Sequence, residues 1–331
     1  MKTKYIFSMG EIKRKDNSIA FRNEKGWKYI PIEAVREIYF MNEVSINSKF
    51  LDFCARAGII LHFFNYFGNY SGSFYPKEKY ISGNLTIKQA ITFQNERLSI
   101  AKAIVLGISE NIYEVLYHYF RHGKSELQEF LRYLREDIPR FIEKTDNINK
   151  LLFIEGNIWA GFYDSFKYFL PEEFLFNKRV KRPPDNPLNA LISFGNTLLY
   201  TKTISAIYQT HLDQSISFLH SPSESRFSLS LDLSEVFKPV IVFRSIFDLV
   251  NRKKLKVERH FEKKFNYALL NEEGKKIFIS AFEERLNEKF KHKTLKRMVS
   301  FHTAIKLDGY KLIKYLIQKE EFKPFSLKEK R

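Results

Sequence analysis

Residues 58–93, GIILHFFNYFGNYSGSFYPKEKYISGNLTIKQAITF, contain the point at which the chain changes character. Residues 58–64 are a short apolar run, the pattern of a buried strand. Residues 65–83 collect Gly, Asn, Ser and Pro and predict a linker or an exposed hairpin. From Asn84 onward the apolar period is three and four, through Leu85, Ala90, Phe93 and Leu98 and again through Leu127, Phe130, Leu131 and Leu134. That spacing predicts helices. Upstream, residues 5–7, 12–15, 19–21, 27–30, 37–40 and 59–64 are short, rich in aromatic and β-branched side chains, and separated by turn formers, so they read as strands. Residues 48–56 interrupt them with Phe50, Leu51, Cys54 and Ala55 at helical spacing and Ser48 as an expected N-cap. The fold class is therefore α+β: a small N-terminal β domain, residues 1–82, followed by a larger all-α domain, residues 83–331. Four prolines in residues 171–189 divide the helices into two groups.

Composition narrows the function. A length of 331 residues exceeds what one core usually organises, and 44% apolar residues exclude global disorder. No apolar run approaches the length of a membrane span, and the N-terminus has no apolar segment behind its positive charge, so a cytoplasmic protein is expected. A single cysteine, Cys54, excludes an internal disulfide and a thiolate zinc cluster, and is expected as buried filler. The net charge of +17 favours a polyanionic partner. The excess is uneven: 13 basic against 8 acidic residues in 1–82, 19 against 19 in 83–250, and 23 against 11 in 251–331. Arg285, Lys289, Lys291, Lys293, Lys296 and Arg297 form a basic stripe in that last quarter, suited to phosphates or to a solvated helix face.

Three residues stand out chemically. In the helix expected over 147–170, Glu155 falls on the apolar stripe of Leu151, Leu152, Trp159, Phe162 and Phe166, and a carboxylate facing a core needs a partner. Gly156 beside it leaves room for a bulky neighbour. His220 ends the apolar segment 216–219, where a histidine is either a satisfied core residue or a ligand. Asp232 and Glu235 lie three apart on one helix face with Ser230 as its expected cap, so their charges repel and call for something positive: a metal ion, Lys238, Arg226 or the helix dipole. One histidine with two or three carboxylates suits Mg2+ or Mn2+ holding phosphate oxygens better than structural zinc.

The ordered set YIFSMGEIKRKDNSIAF (5–21), IPIEAVREIYF (30–40), GIILHFFNYFGNYSGSF (58–74), LLFIEGNIWAGFYDSF (151–166), RPPDNPLNALISFGNTLLY (182–200), HLDQSISFLH (211–220), SLSLDLSEVFKP (228–239) and AIKLDGYKLIKYL (304–316) resembles the CRISPR-associated DNA integrase and endonuclease family, the catalytic subunit of the spacer-acquisition complex. The resemblance spans nearly the whole chain. It implies that Glu155, His220 and Glu235 hold the metal, that Asp232 is a companion carboxylate, and that Lys238 contacts DNA phosphate; Arg179 and Arg182, with Lys293, Lys296 and Arg297, are further candidates for that contact. It also implies a homodimer formed through the β domain, a small partner subunit, and double-stranded DNA with free 3′ ends. The implied reaction is transesterification, a 3′-hydroxyl attacking a phosphodiester at the repeat array, with hydrolysis of DNA when water attacks instead. Two departures appear: Ser217 where many relatives carry Gly, and Phe243 where many carry Asp, neither expected to touch a ligand. The competing readings are a non-catalytic architectural DNA-binding protein and a branched-DNA hydrolase.

Overall fold

The computed structural model describes residues 2–76, 82–180, 183–222, 227–264, 267–292 and 295–330, in two compact units, Met1–Ile81 and Ser82–Arg331. In the first unit, β1 (Lys2–Ile6), β5 (Val35–Phe40), β7 (Ile60–Phe64) and β8 (Tyr70–Phe74) form one sheet in the order β1-β5-β7-β8. The second sheet, in the order β4-β3-β2-β6, joins β2 (Gly10–Lys15), β3 (Ser18–Asn23), β4 (Gly26–Pro31) and β6 (Val44–Ile46). Alternation sets the register: Ile12 faces Phe21, Ile19 faces Ile30, and these side chains enter one core with Ile38, Phe40, Phe50 and Leu61. The six strands read from sequence are present. The three-residue β6, whose Val44 and Ile46 pack against the core, is too short for its alternation to stand out in sequence, and β8 is the far arm of a hairpin inside the turn-rich stretch, whose residues 77–81 lie outside the described ones.

Helix α1 (Ser48–Ala57) packs on the second sheet and places Phe50, Phe53 and Cys54 in the core. Its N-cap is Asn47, not Ser48: the carboxamide oxygen accepts the Phe50 N–H at 3.0 Å. The helix stops at Gly58, whose φ of +71° is one that only glycine adopts cheaply. Burial pushes the Cys54 thiol up to about 12, which leaves it protonated and inert.

In the second unit, α2 (Gly83–Arg121) runs through the centre and contacts α4 (Ile138–Lys144), α5 (Ile148–Asp164), α7 (Ser228–Lys238) and α11 (Phe301–Gln318). Between α2 and α4 come α3 (Gln128–Arg132) and a π-turn, Tyr133–Asp137. The buried face of α2 is not the apolar stripe read from sequence. Leu85 lies on it, but Ala90 is exposed, Phe93 and Leu98 are half-buried, and the positions that face inward hold Gln89 and Thr92. Helix α6 (Pro187–Tyr208) packs against α7 and α11. A second π-turn, Pro239–Phe243, carries α7 into α8 (Arg244–Asn251), and α9 (Val257–His260) and α10 (Glu272–Asn287) follow. The unit is largely helical, with two short hairpins added, β9 (Phe261–Lys264) with β10 (Tyr267–Leu270) and β11 (Lys289–Lys291) with β12 (Met298–Ser300). No helix of the described residues is long and apolar enough to cross a membrane.

An aromatic seam packs α5 and the residues after it against the π-turn that follows α7 and against α8. Phe243, fully buried, has its ring centroid 5.7 Å from Trp159 and 5.0 Å from Phe162, while Phe247 lies 5.1 Å from Phe166 and 5.0 Å from Phe169. Edge-on and tilted pairs of this kind add about 0.5–1.5 kcal/mol each beyond their burial. Phe243 is thus a packing residue, and the seam decides where Glu155 stands relative to Glu235.

Candidate active site

Each acidic residue singled out in the sequence has a distinct surrounding. Asp232, fully buried on the first turns of α7, accepts the backbone N–H of Phe218 at 2.6 Å, of Leu219 at 2.8 Å and of His220 at 3.0 Å. The same carboxylate meets His220 Nδ1 at 2.8 Å. One side chain therefore shapes the whole 218–220 loop and orients its imidazole. With Nδ1 donating to Asp232, the Nε2 lone pair remains for a ligand, the arrangement typical of metal-binding histidines. Ser230 does not cap α7; its hydroxyl donates to Gln214 Oε1 at 2.7 Å, and the residue preceding the helix, Phe227, makes no side-chain cap.

Glu235, on the same helix, is buried and paired with the ammonium of Lys238. The Lys238 ammonium also lies 5.9 Å from the centre of the Trp159 ring. Glu155 comes from α5, where Asn147 caps the helix by accepting the Lys150 N–H at 3.0 Å. It is half-buried, and a Cβ at neighbouring Gly156 would meet nothing within 4 Å, so the ground beside it is open. Burial raises the Glu155 pKa, and the negative charge of Glu235 raises it further, partly offset by His220, Lys238 and a hydrogen bond with Trp159. For His220 burial works downward, but Asp232, Glu235 and Glu155 outweigh it and the net shift is upward. Glu155, His220, Glu235 and Lys238 thus share one electrostatic neighbourhood.

Among the described residues no three His, Cys, Asp or Glu side chains stand together as a ready ion cage. The donor set nevertheless fits a divalent cation. The charge of Glu235 opposes ionisation of Glu155, an imidazole keeps one nitrogen available, and an ammonium holds Glu235 where a cation's charge belongs. Of the positive groups expected from sequence, Lys238 takes this place; Arg226 lies outside the described residues.

The supports of the loop escaped sequence reading. Arg97 of α2 donates Nε to the Phe218 carbonyl at 2.7 Å and a terminal nitrogen to Leu219 at 3.0 Å. Gln89, about two helical turns earlier, donates to the carbonyls of Asp213 and Ile216 and accepts the Asp213 N–H. Both reach partners more than a hundred residues away, so no local sequence signal marks them. Ser217, expected to be remote from any ligand, donates its hydroxyl to the His220 carbonyl at 2.7 Å.

The candidate phosphate-binding residues are scattered. The Arg179 guanidinium is engaged internally, with Asn189 Oδ1 and Ser193 Oγ both at 2.9 Å, and burial lowers its pKa. Arg285 pairs with Asp248 and Glu288. Lys296 and Arg297 are exposed in the turn between β11 and β12, in a hairpin and not on a helix face, whereas Arg182 and Lys293 lie outside the described residues.

A family model described as CRISPR associated protein Cas1 matches residues 4–284. The chain is 46% identical over 327 residues to the CRISPR-associated endonuclease Cas1 2 of Thermodesulfovibrio yellowstonii, covering 98% of both chains. It is similar to the solved structure of a Cas1 protein from Thermotoga maritima, with a TM-score of 0.86 at 39% identity over 97% of this chain and 99% of that one. A casposase bound to an integration product shares the fold, with a TM-score of 0.85 at 20% identity over 100% of this chain and 95% of that one.

Proposed function

The chain belongs to the Cas1 family, and from that premise we propose that it is a DNA integrase and nuclease of CRISPR spacer acquisition. The observation that carries the reading is the shared electrostatic neighbourhood of Glu155, His220 and Glu235, brought from three separate stretches of sequence. Glu155, His220 Nε2 and Glu235 would hold Mg2+ or Mn2+. When bound, such an ion polarises a phosphoryl oxygen and offsets the charge that develops in an in-line displacement.

The remaining work belongs to this chain's own groups. Asp232 keeps the proton on Nδ1 and the imidazole in place. The seam around Phe243 holds the two carboxylate-bearing helices in register. Lys238, once displaced from Glu235, is free to contact a phosphate oxygen of the DNA. The bond that forms joins a 3′-oxygen to phosphorus; the bond that breaks releases the neighbouring 3′-oxygen of the repeat array, which takes up the proton. Water in place of the 3′-hydroxyl gives strand cleavage. The substrate is double-stranded DNA with free 3′ ends, the setting is the cytoplasm, and the chain acts as a homodimer through its N-terminal β domain with a small partner subunit.

Donor DNA decides between integration and simple hydrolysis. A donor ending in a 3′-hydroxyl is expected to yield joined product, and a 3′-dideoxy donor none above background, measured by gel on a labelled repeat target. Equal products from both donors would make the chain a hydrolase. Arg182, Lys293, Lys296 and Arg297 are proposed phosphate contacts; Arg179, whose guanidinium is bonded to Asn189 and Ser193, is not among them. Replacing Lys293, Lys296 and Arg297 together by Gln is expected to lower the slope of log affinity against log salt by about 2–3, read by fluorescence anisotropy with duplex DNA.

A further inference from the structure

The outward face of the β4-β3-β2-β6 sheet has no role in the chemistry above. Register places Lys13, Ala20 and Tyr29 side by side on it, with Glu11, Arg22 and Trp27 in the next row. The opposite face, with Ile12, Ile19, Phe21 and Ile30, lies against the core. Trp27 is 37% exposed and Tyr29 51% exposed, and β4 is solvent-facing along most of its length. Their rings lie nearly parallel, 16° apart with centroids at 6.3 Å. Cations pin them there: Lys13 Nζ is 4.4 Å from the Trp27 ring, Lys15 Nζ 5.2 Å from Tyr29 and Arg22 5.6 Å from Trp27.

We infer that this face is a stacking platform for the unpaired bases of a single DNA strand. Flat aromatic rings offer a sequence-tolerant surface to bases, and the surrounding ammonium and guanidinium groups suit the phosphates between them. Held between cations on a rigid sheet, the rings lose little freedom on binding. The charge also selects the occupant. A second copy packed face to face would bring Lys13, Lys15 and Arg22 toward their own counterparts with only Glu11 as a counter-charge, and Glu11 already lies 3.8 Å from Lys13. The inference rests on the reading of the chain as a DNA-handling protein, but not on its active-site chemistry.

The test uses the full chain, a labelled oligothymidine and a blunt duplex, read by anisotropy. The Trp27→Ala/Tyr29→Ala variant is expected to bind oligothymidine about 10–100-fold more weakly and duplex within about threefold of the parent. In the parent, oligothymidine is expected to quench the exposed Trp27, and Trp27→Phe to remove that change while buried Trp159 stays constant. Should the double variant not fold, Lys13→Gln/Lys15→Gln carries the test, with an expected fall of about 1.4 in the single-strand salt slope. Unchanged oligothymidine affinity in a folded double variant would overturn the inference. So would a shift from dimer to monomer without loss of that affinity, which would assign the face to self-association. Glu155→Gln, inert in strand transfer under the proposed function, is expected to bind oligothymidine like the parent, so the two readings fail separately.

Discussion

Glu155→Gln, His220→Ala and Glu235→Gln, made singly, are each expected to reduce strand transfer about 1,000-fold or more while leaving duplex affinity within about threefold. The size follows from what each group supplies: a bound cation contributes several kcal/mol of transition-state charge stabilisation, and every 1.4 kcal/mol lost is about tenfold in rate. Binding survives because phosphate contacts spread over many basic side chains, not over three acidic and imidazole groups. The glutamine variants keep shape and remove only charge. Glu155→Gln carries a further signature in the ion-free protein. Because burial and Glu235 raise the Glu155 pKa, the folded state binds its proton more readily than the unfolded state, so ionised Glu155 opposes folding as pH rises through the raised value. Removing that carboxyl is expected to raise the melting temperature slightly at neutral pH and to leave it unchanged in acid. Strand transfer at the parental level in all three variants would leave a basic architectural DNA-binding protein as the better account.

Asp232→Ala is expected to lose stability as well as activity, and here the two losses share one cause. The carboxylate accepts three consecutive backbone N–H groups and the His220 imidazole, and no water replaces it in a fully buried position. Breaking such a buried charged network costs about 3–5 kcal/mol, which for a unit of this size lowers the melting temperature on the order of 10 °C. Asp232→Asn keeps one acceptor oxygen but turns an NH2 toward a cluster of donors, so an intermediate melting temperature is expected, with activity still lost because Nδ1 no longer faces a carboxylate. Differential scanning calorimetry with a strand-transfer assay measures both. A parental melting temperature for Asp232→Ala would remove Asp232 from its role as organiser of the loop.

The architecture was legible where side-chain period carried it. Alternation along residues 12–30 gave the strands of the second sheet, and the change near Asn84 gave the start of the long helix that begins at Gly83. It was illegible where the buried face is polar. Gln89 and Thr92 occupy inward positions of α2 because they bond across to other segments or sit in close packing, so a count of apolar residues draws the stripe through Ala90 instead. The hairpin of β11 and β12 holds few apolar residues, and its lysines read as a charge run before they read as a turn. In the site, Glu155 announced itself by lying on an apolar helix face. Asp232 and Glu235 were visible as a pair, but spacing suggested two carboxylates repelling each other; in the fold one turns to backbone N–H groups and the other to an ammonium. The Arg97 contact to the 218–219 carbonyls, more than a hundred residues away in sequence, depends on tertiary packing that no local pattern encodes.

The central claim is that one divalent cation is held between α5, the 218–220 loop and α7. Anomalous diffraction from crystals soaked in Mn2+ tests it most directly. The account predicts one manganese peak bonded to a carboxylate oxygen of Glu155, Nε2 of His220 and a carboxylate oxygen of Glu235, at distances of about 2.0–2.3 Å, with Lys238 moved off Glu235. A peak bound elsewhere, with Lys238 still on Glu235 and Glu155 without metal, would contradict it.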